Sequence, residues 1–280
     1  MLSLTSKYGW KVYIPYFILC LALGRIMMRT SVTTELIVYL IAISLFGLGT
    51  CIAVSSRKVL LQQSWWKILA VILLLYSICE GFLGDVPRLP ILNETIRNLH
   101  YHVPMWFGMI WILGVSLAYS IIYLNKFDAE ADLIAAETAN IALWFGMFGM
   151  VTGMVWAKYT WGEWWSNDPK QMSAAVALLM YFAYFILRGS IEDEDKRAKV
   201  AAVYNIIIFF VYLALIFVVP RLVDSLHPGN GGNPALSQLD LDSNLRMVFY
   251  PSVIGWILLG LWLTSLRVRF KKVEQAYFNF

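Results

Sequence analysis

The sequence predicts an all-α integral membrane protein, a polytopic bundle of about eight transmembrane helices whose external loops carry the functional site. Three observations lead there. Hydrophobic residues make 60% of the chain and charged ones only 14%, with a mean hydropathy of +0.66, more apolar surface than a soluble domain buries. The apolar residues gather in runs close to the roughly 20 that a helix needs to cross a bilayer. Lys and Arg, finally, are distributed unevenly between alternate connections, as they are in polytopic membrane proteins.

Taken in order, the predicted spans lie near Tyr13–Met27, Glu35–Val54, Trp65–Leu83, Val103–Leu124, Ala139–Trp156, Met172–Leu187, Val200–Val219 and Met247–Leu266. The first is the weakest, because Pro15 and Arg25 interrupt it. No small-residue cleavage site follows that run, so it is read as a retained anchor. With the N-terminus inside, Arg25, Arg29, Arg88, Arg97, Lys158, Lys170, Arg221 and Arg246 lie outside, and the other fourteen of the 22 Lys and Arg lie inside. That excess has the sign the positive-inside rule requires and places both termini in the cytoplasm.

The inner connections, Asn125–Thr138 and Arg188–Lys199, carry mixed charge and read as solvated turns that fix topology. Cys20, Cys51 and Cys79 sit singly in apolar runs, without the spacing of a zinc site or of covalent haem attachment, and read as buried inert thiols. A formal charge of +4 reflects topology; a nucleic-acid-binding face is not indicated.

The chemistry-bearing residues fall on the outer side. His100 and His102 precede the fourth span, and His227 follows the seventh. Between them in sequence comes the loop 157–171, with Trp161, Gly162, Glu163, Trp164, Trp165, Ser166, Asn167, Asp168, Pro169 and Lys170. Two imidazole sources and an aromatic shelf suit haem, whose iron takes axial imidazoles and whose porphyrin is a broad apolar plate. Cations at its edge can pair with the propionates. Tryptophan is also enriched at membrane interfaces for its amphipathic ring alone, and Trp106, Trp144, Trp156 and Trp256 are read that way. Three Trp within five residues exceed what such a belt requires. Of the paired histidines, His102 is better placed, because Val103-Pro104 fixes the chain where the helix begins; His100 is the alternative. His227, in Leu226-His227-Pro228-Gly229, precedes the Gly- and Asn-rich stretch 230–234, which permits loop movement.

At these residues the chain resembles the haem-handling membrane proteins with a tryptophan-rich "WWD" loop, in particular the cytochrome c maturation protein C (CcmC) family. The resemblance covers residues 65–272 and is most specific over Trp161-Gly162-x-Trp164-Trp165-x-x-Asp168-x-Lys170. It implies His102 and His227 as axial ligands to haem b carried as cargo, with Trp161, Trp164 and Trp165 sheltering its apolar edge. It further implies that Arg97 and Lys170 meet the propionates, while Asp168 orients the loop by hydrogen bonds. Two departures stand out: Asn167 occupies a position where the family commonly has a further Trp, and Lys170 stands for the commoner Arg. The related CcsA branch, with additional histidines inside the membrane helices, is disfavoured. The family core has about six spans, so residues 1–64 read as an addition with a packing or assembly role, and 273–280 as a cytoplasmic tail.

The function implied is haem binding and delivery at the outer face of the bacterial cytoplasmic membrane, for c-type cytochrome biogenesis. The implied partners are the periplasmic haem chaperone CcmE and other membrane components, including an ABC-type ATPase complex. This chain has no phosphate-binding loop of its own, so ATP work falls to a partner, and the chain is read as a binding protein and not an enzyme. Two other classes compete: a b-type haem electron-transfer subunit, and a small-solute channel with Glu80 and Asn140 as its polar candidates.

Overall fold

The computed structural model describes residues 64–88, 92–227, 241 and 243–278. Its elements are α1 (Trp65–Leu83), a 3-10 helix (Asn93–His100), α2 (His102–Lys126), α3 (Ala129–Trp161), α4 (Pro169–Gly189) and α5 (Glu194–Leu213). A π-helical turn (Ala214–Val218), the short α6 (Val219–Leu222) and α7 (Ser243–Phe278) complete them. Strands are absent among the described residues. Six helices there are long and apolar enough to cross a membrane. The predicted spans Tyr13–Met27 and Glu35–Val54 lie outside the described residues, so the expected eight becomes six for the part described. The chain divides into residues 1–66 and 67–280, and the second unit holds the site.

Helix ends follow local chemistry. Asp128 caps α3 by accepting from Glu130 N (3.0 Å), Asp168 caps α4 through Lys170 N (2.9 Å), and Asp193 caps α5 through Lys196 N (2.7 Å). Pro169 opens α4, where a missing N–H costs nothing. Phe127, in the left-handed region (φ 50°), ends α2, and its N–H bonds to Tyr123 O.

The expected inner loop Asn125–Thr138 is therefore a two-residue turn, and α3 begins at Ala129 and runs 33 residues, roughly 50 Å. The charges that suggest solvent at Glu130, Asp132 and Glu137 are helical and paired. Lys272 meets Glu130 (2.6 Å), Arg188 meets Asp132 (2.7 Å) and Arg267 meets Glu137 (2.8 Å). Three carboxylates of one helix thus stitch α4 and α7 to α3 at the charged end of the bundle. The Asp132–Arg188 contact is bidentate and largely shielded, with side chains 16% and 14% exposed. Removing one partner alone strands a charge, so Arg188→Met is expected to cost about 3 kcal/mol. Asp132→Leu combined with Arg188→Met is expected to recover most of that, as read by thermal unfolding in detergent.

The core is made where α2 meets α3, α5 and α7. A ridge on α2 (His102, Trp106, Met109) enters a row of glycines on α3 (Gly153, Gly149, Gly146) running the opposite way. A Cβ on each glycine would lie 2.6 Å from His102 Cε1, 2.9 Å from Trp106 Nε1 and 2.6 Å from Met109 Sδ. The helices approach so closely only because those side chains are absent. Farther along α2, the buried Asn205 of α5 donates to Ser116 Oγ (2.8 Å) and Ser120 Oγ (2.9 Å), an interhelical polar clasp of the kind apolar surroundings favour. Cys79 lies exposed on α1 and not buried as the sequence suggests, because α1 turns little of its surface inward.

Candidate functional site

At the end of the bundle opposite the charged stitches, the start of α2, the end of α3, the start of α4 and the segment after α6 come together. His102 is the first residue of α2 and not part of a loop. Its Nδ1 lies 2.8 Å from Gly149 O and 3.2 Å from Thr152 Oγ1. A carbonyl can only accept, so Nδ1 carries the proton and Nε2 keeps its lone pair.

His227 is held by a different device with the same result. Its Nδ1 lies 2.8 Å from Asp168 Oδ1, and the Asp168 side chain is 1% exposed. The same carboxylate accepts from Ser225 Oγ (3.0 Å) and from Leu226 N (2.6 Å), besides capping α4. Burial alone would raise the Asp168 carboxyl. The hydrogen bonds from His227, Leu226 and Ser225 outweigh it and hold the group well below its ordinary value of 3.8. Asp168 is thus an anion, and an anion facing Nδ1 requires a proton there, so the neutral tautomer of this ring carries its lone pair on Nε2. A second hydrogen bond that orients an imidazole and sharpens its basicity is what metal-binding histidines use.

Both imidazoles border one stretch of α3. The turns that carry Gly149, Thr152 and Gly153 hold His102. Trp156, three residues beyond Gly153, has its ring 5.5 Å from that of His227. Trp161, the last residue of α3, stands edge-on to both, 4.7 Å from His227 and 4.8 Å from Trp156. Trp156 is the site residue that sequence reasoning sets aside, since a single Trp near a helix end looks like interfacial belt. Its spacing of seven from Gly149 and three from Gly153 is the signal that places it on the His102 face.

The other expected residues separate. Trp164 is 50% exposed, and Trp165 turns its indole N–H to Asn167 Oδ1 (2.8 Å). Gly162 ends α3 with φ 88°, a left-handed conformation natural to glycine, its N–H bonded to Lys158 O (3.1 Å). Lys170 is the second residue of α4, next to the Asp168 cap. Arg97 faces protein acceptors: Nε pairs with Glu94 (2.7 Å), and one terminal nitrogen donates to Gly84 O (2.7 Å) and Gly81 O (3.1 Å), closing the end of α1. A propionate would have to compete with those partners. His100, at the end of the 3-10 helix, is 1% exposed, its carbonyl accepting from Ser252 Oγ of α7 (2.6 Å). No group of three or more His, Cys, Asp or Glu that could hold a bare metal ion occurs among the described residues.

A bundle with six helices long and apolar enough to cross a membrane, and with two histidines and two indoles gathered at one of its ends, is a polytopic helical membrane protein. Residues 50–278 match the family described as CcmC, heme exporter protein C, and the chain belongs to that family. Heme exporter protein C of Escherichia coli K12 is 28% identical over 208 residues, 73% of this chain and 81% of that protein. The Paracoccus denitrificans protein of the same description is 26% identical over 177 residues, 63% of this chain and 73% of its own length. A cytochrome c biogenesis protein CcsA from Prochlorococcus marinus is 34% identical over 82 residues, 29% of this chain and 26% of its own.

Proposed function

We propose that this chain holds haem b as cargo at the outer face of the bacterial cytoplasmic membrane and presents it for c-type cytochrome biogenesis, to a periplasmic chaperone of the CcmE type. The observation that carries the reading is the matched bonding of His102 and His227: each has Nδ1 against a protein acceptor, so the neutral tautomer of each ring carries its lone pair on Nε2. Iron in haem accepts two such nitrogens. Trp156 and Trp161 supply apolar surface beside His227, and we assign the loop residues Trp164 and Trp165 to shelter the haem edge from outside that cluster. Lys170 is the cation we assign to a propionate; Arg97 closes α1 in the structure and serves the site through that end.

Sidedness is part of the proposal. The charged end, with Arg188, Arg267 and Lys272 paired to α3, is assigned to the cytoplasm by the positive-inside rule, which puts the histidine end outside. ATP hydrolysis would come from a partner of the ABC type. The name carried by the relatives, heme exporter protein C, agrees with haem as the ligand.

The direct test is visible absorption of the purified wild-type, His102→Ala and His227→Ala proteins. Each variant is expected to lose haem by at least the ~10–100-fold that removal of a mere outer-shell partner costs. Wild-type haem content with an unchanged spectrum in both variants would overturn the ligand assignment.

A further inference from the structure

The tryptophan loop departs from the family pattern at Asn167, and the structure surrounds that departure with hydrogen bonds. Asn167 has φ 54°, in the left-handed region where Asn is enriched and a bulky side chain is strained. Its Oδ1 accepts the indole N–H of Trp165 (2.8 Å), which fixes the direction in which that ring edge points. One residue earlier, the backbone N–H of Ser166 (3.0 Å) and its hydroxyl (3.1 Å) both donate to Gln171 Oε1. Gln171 is the third residue of α4 and 6% exposed. From that position a Gln side chain reaches back over the helix start to residues that precede it.

We infer that Gln171 and Asn167 are positioning residues of the haem site, a polar latch that sets the path of the loop and the attitude of Trp165 in place of a further aromatic ring. The inference rests on the reading that this loop shelters haem. Each part of the latch has its own consequence. The left-handed turn at Asn167 swings the chain so that Asp168 enters α4 as its cap. The bond to Ser166 N ties the loop to the same helix turn. Asp168 in turn holds His227, so loop and ligand are referenced to one helix start.

The chemistry of Gln171 makes the idea separable from simple packing. Only its oxygen is used; Nε2 is buried and makes no hydrogen bond. Gln171→Glu therefore keeps the acceptor, whereas Gln171→Leu removes it at similar size. Amide hydrogen exchange on the full-length, haem-free protein in detergent reads the Ser166 N–H directly, with the α2–α3 amides as a control for folding. The expected result is exchange over residues 163–167 faster by about 10-fold in Gln171→Leu and close to wild type in Gln171→Glu. After loading, quenching of tryptophan fluorescence by haem is expected to fall in the Leu variant and to be restored in the Glu variant. Wild-type exchange and quenching in Gln171→Leu, or a Glu variant as defective as the Leu variant, would overturn the latch. A wild-type protein with no haem band dependent on His102 and His227 would instead sink the haem reading, and the exchange data would still judge the latch.

Discussion

Replacing Gly153 by alanine is expected to lower haem affinity by roughly 10–100-fold while the bundle stays folded. The added Cβ would lie 2.6 Å from His102 Cε1, 3.2 Å from Nδ1 and 3.4 Å from Nε2, a collision with the Cε1 corner of the ring. The imidazole has little room to yield, because Nδ1 is tied to Gly149 O and the Trp106 ring stands edge-on at 6.3 Å. Overpacking of this size usually costs about 1–3 kcal/mol, and here the strain falls on one ring and the contacts of its Nδ1 with Gly149 O and Thr152 Oγ1. Gly114→Ala is the control. A Cβ there meets nothing within 4 Å, so the same change in the middle of α2 is expected to stabilise by about 0.5–1 kcal/mol. Haem titration of both variants, followed by absorption, separates a local effect on His102 from a general effect of losing glycine. Wild-type affinity in Gly153→Ala would show that His102 does not set the site.

The second large effect is expected at Asp168. Asp168→Ala removes at once the cap of α4, the acceptor for His227 Nδ1 and the acceptor for Leu226 N and Ser225 Oγ. Loss of the cap costs about 1 kcal/mol. Stranding buried donors adds about 1–3 kcal/mol each, until the segment lets go of α4 and finds water. Releasing that segment frees His227, so haem binding is expected to fall more steeply than overall stability. Asp168→Asn keeps one oxygen but cannot satisfy every donor, and is expected to sit between alanine and wild type. Equal haem affinity in all three proteins would remove Asp168 from the site.

The pH behaviour follows from the direction of the Asp168 shift. Its pKa is depressed in the folded protein, so its stabilising contribution is complete above the ordinary value of 3.8 and is lost as pH falls through the lower, folded-state value. The hold on the segment before His227 should therefore survive mild acid. Limited proteolysis of the haem-free protein at pH 4 and pH 7 checks this: cleavage near residues 223–227 that rises at pH 4 would contradict it.

Much of the helical frame was legible in the sequence because a bilayer imposes one strong rule, about 20 apolar residues per crossing. Charge along the chain is a poorer guide to solvent. Glu130, Asp132 and Glu137 look like a solvated turn in one dimension, yet each meets a cation on another helix, and that pairing is invisible until the helices are packed. The two histidines, the tryptophans and Asp168 stand out in the sequence by type and order, and the structure brings His227, Asp168 and Trp161 of that set together. Their hydrogen bonding was not legible, since Gly149 O lies 47 residues from His102 and Asp168 lies 59 from His227. Trp156 was passed over for want of a three-dimensional neighbour. The partners of Arg97 are equally illegible, since its guanidinium meets Glu94 and the carbonyls ending α1, 13 and 16 residues away.

The unbroken length of α3 has a mechanical side. Glu137, gripped by Arg267, and Trp161, beside His227, are roughly 36 Å apart along its axis at 1.5 Å per residue. Between them lie the backbone that receives His102 and the indole of Trp156, so the two halves of the site ride on a single lever. Tilting that lever by about 2° about its charged end carries the indoles roughly 1 Å, a displacement at which positioned groups lose their effect. The helix runs without a break over all 33 residues, so no joint within it separates the charged end from the indoles.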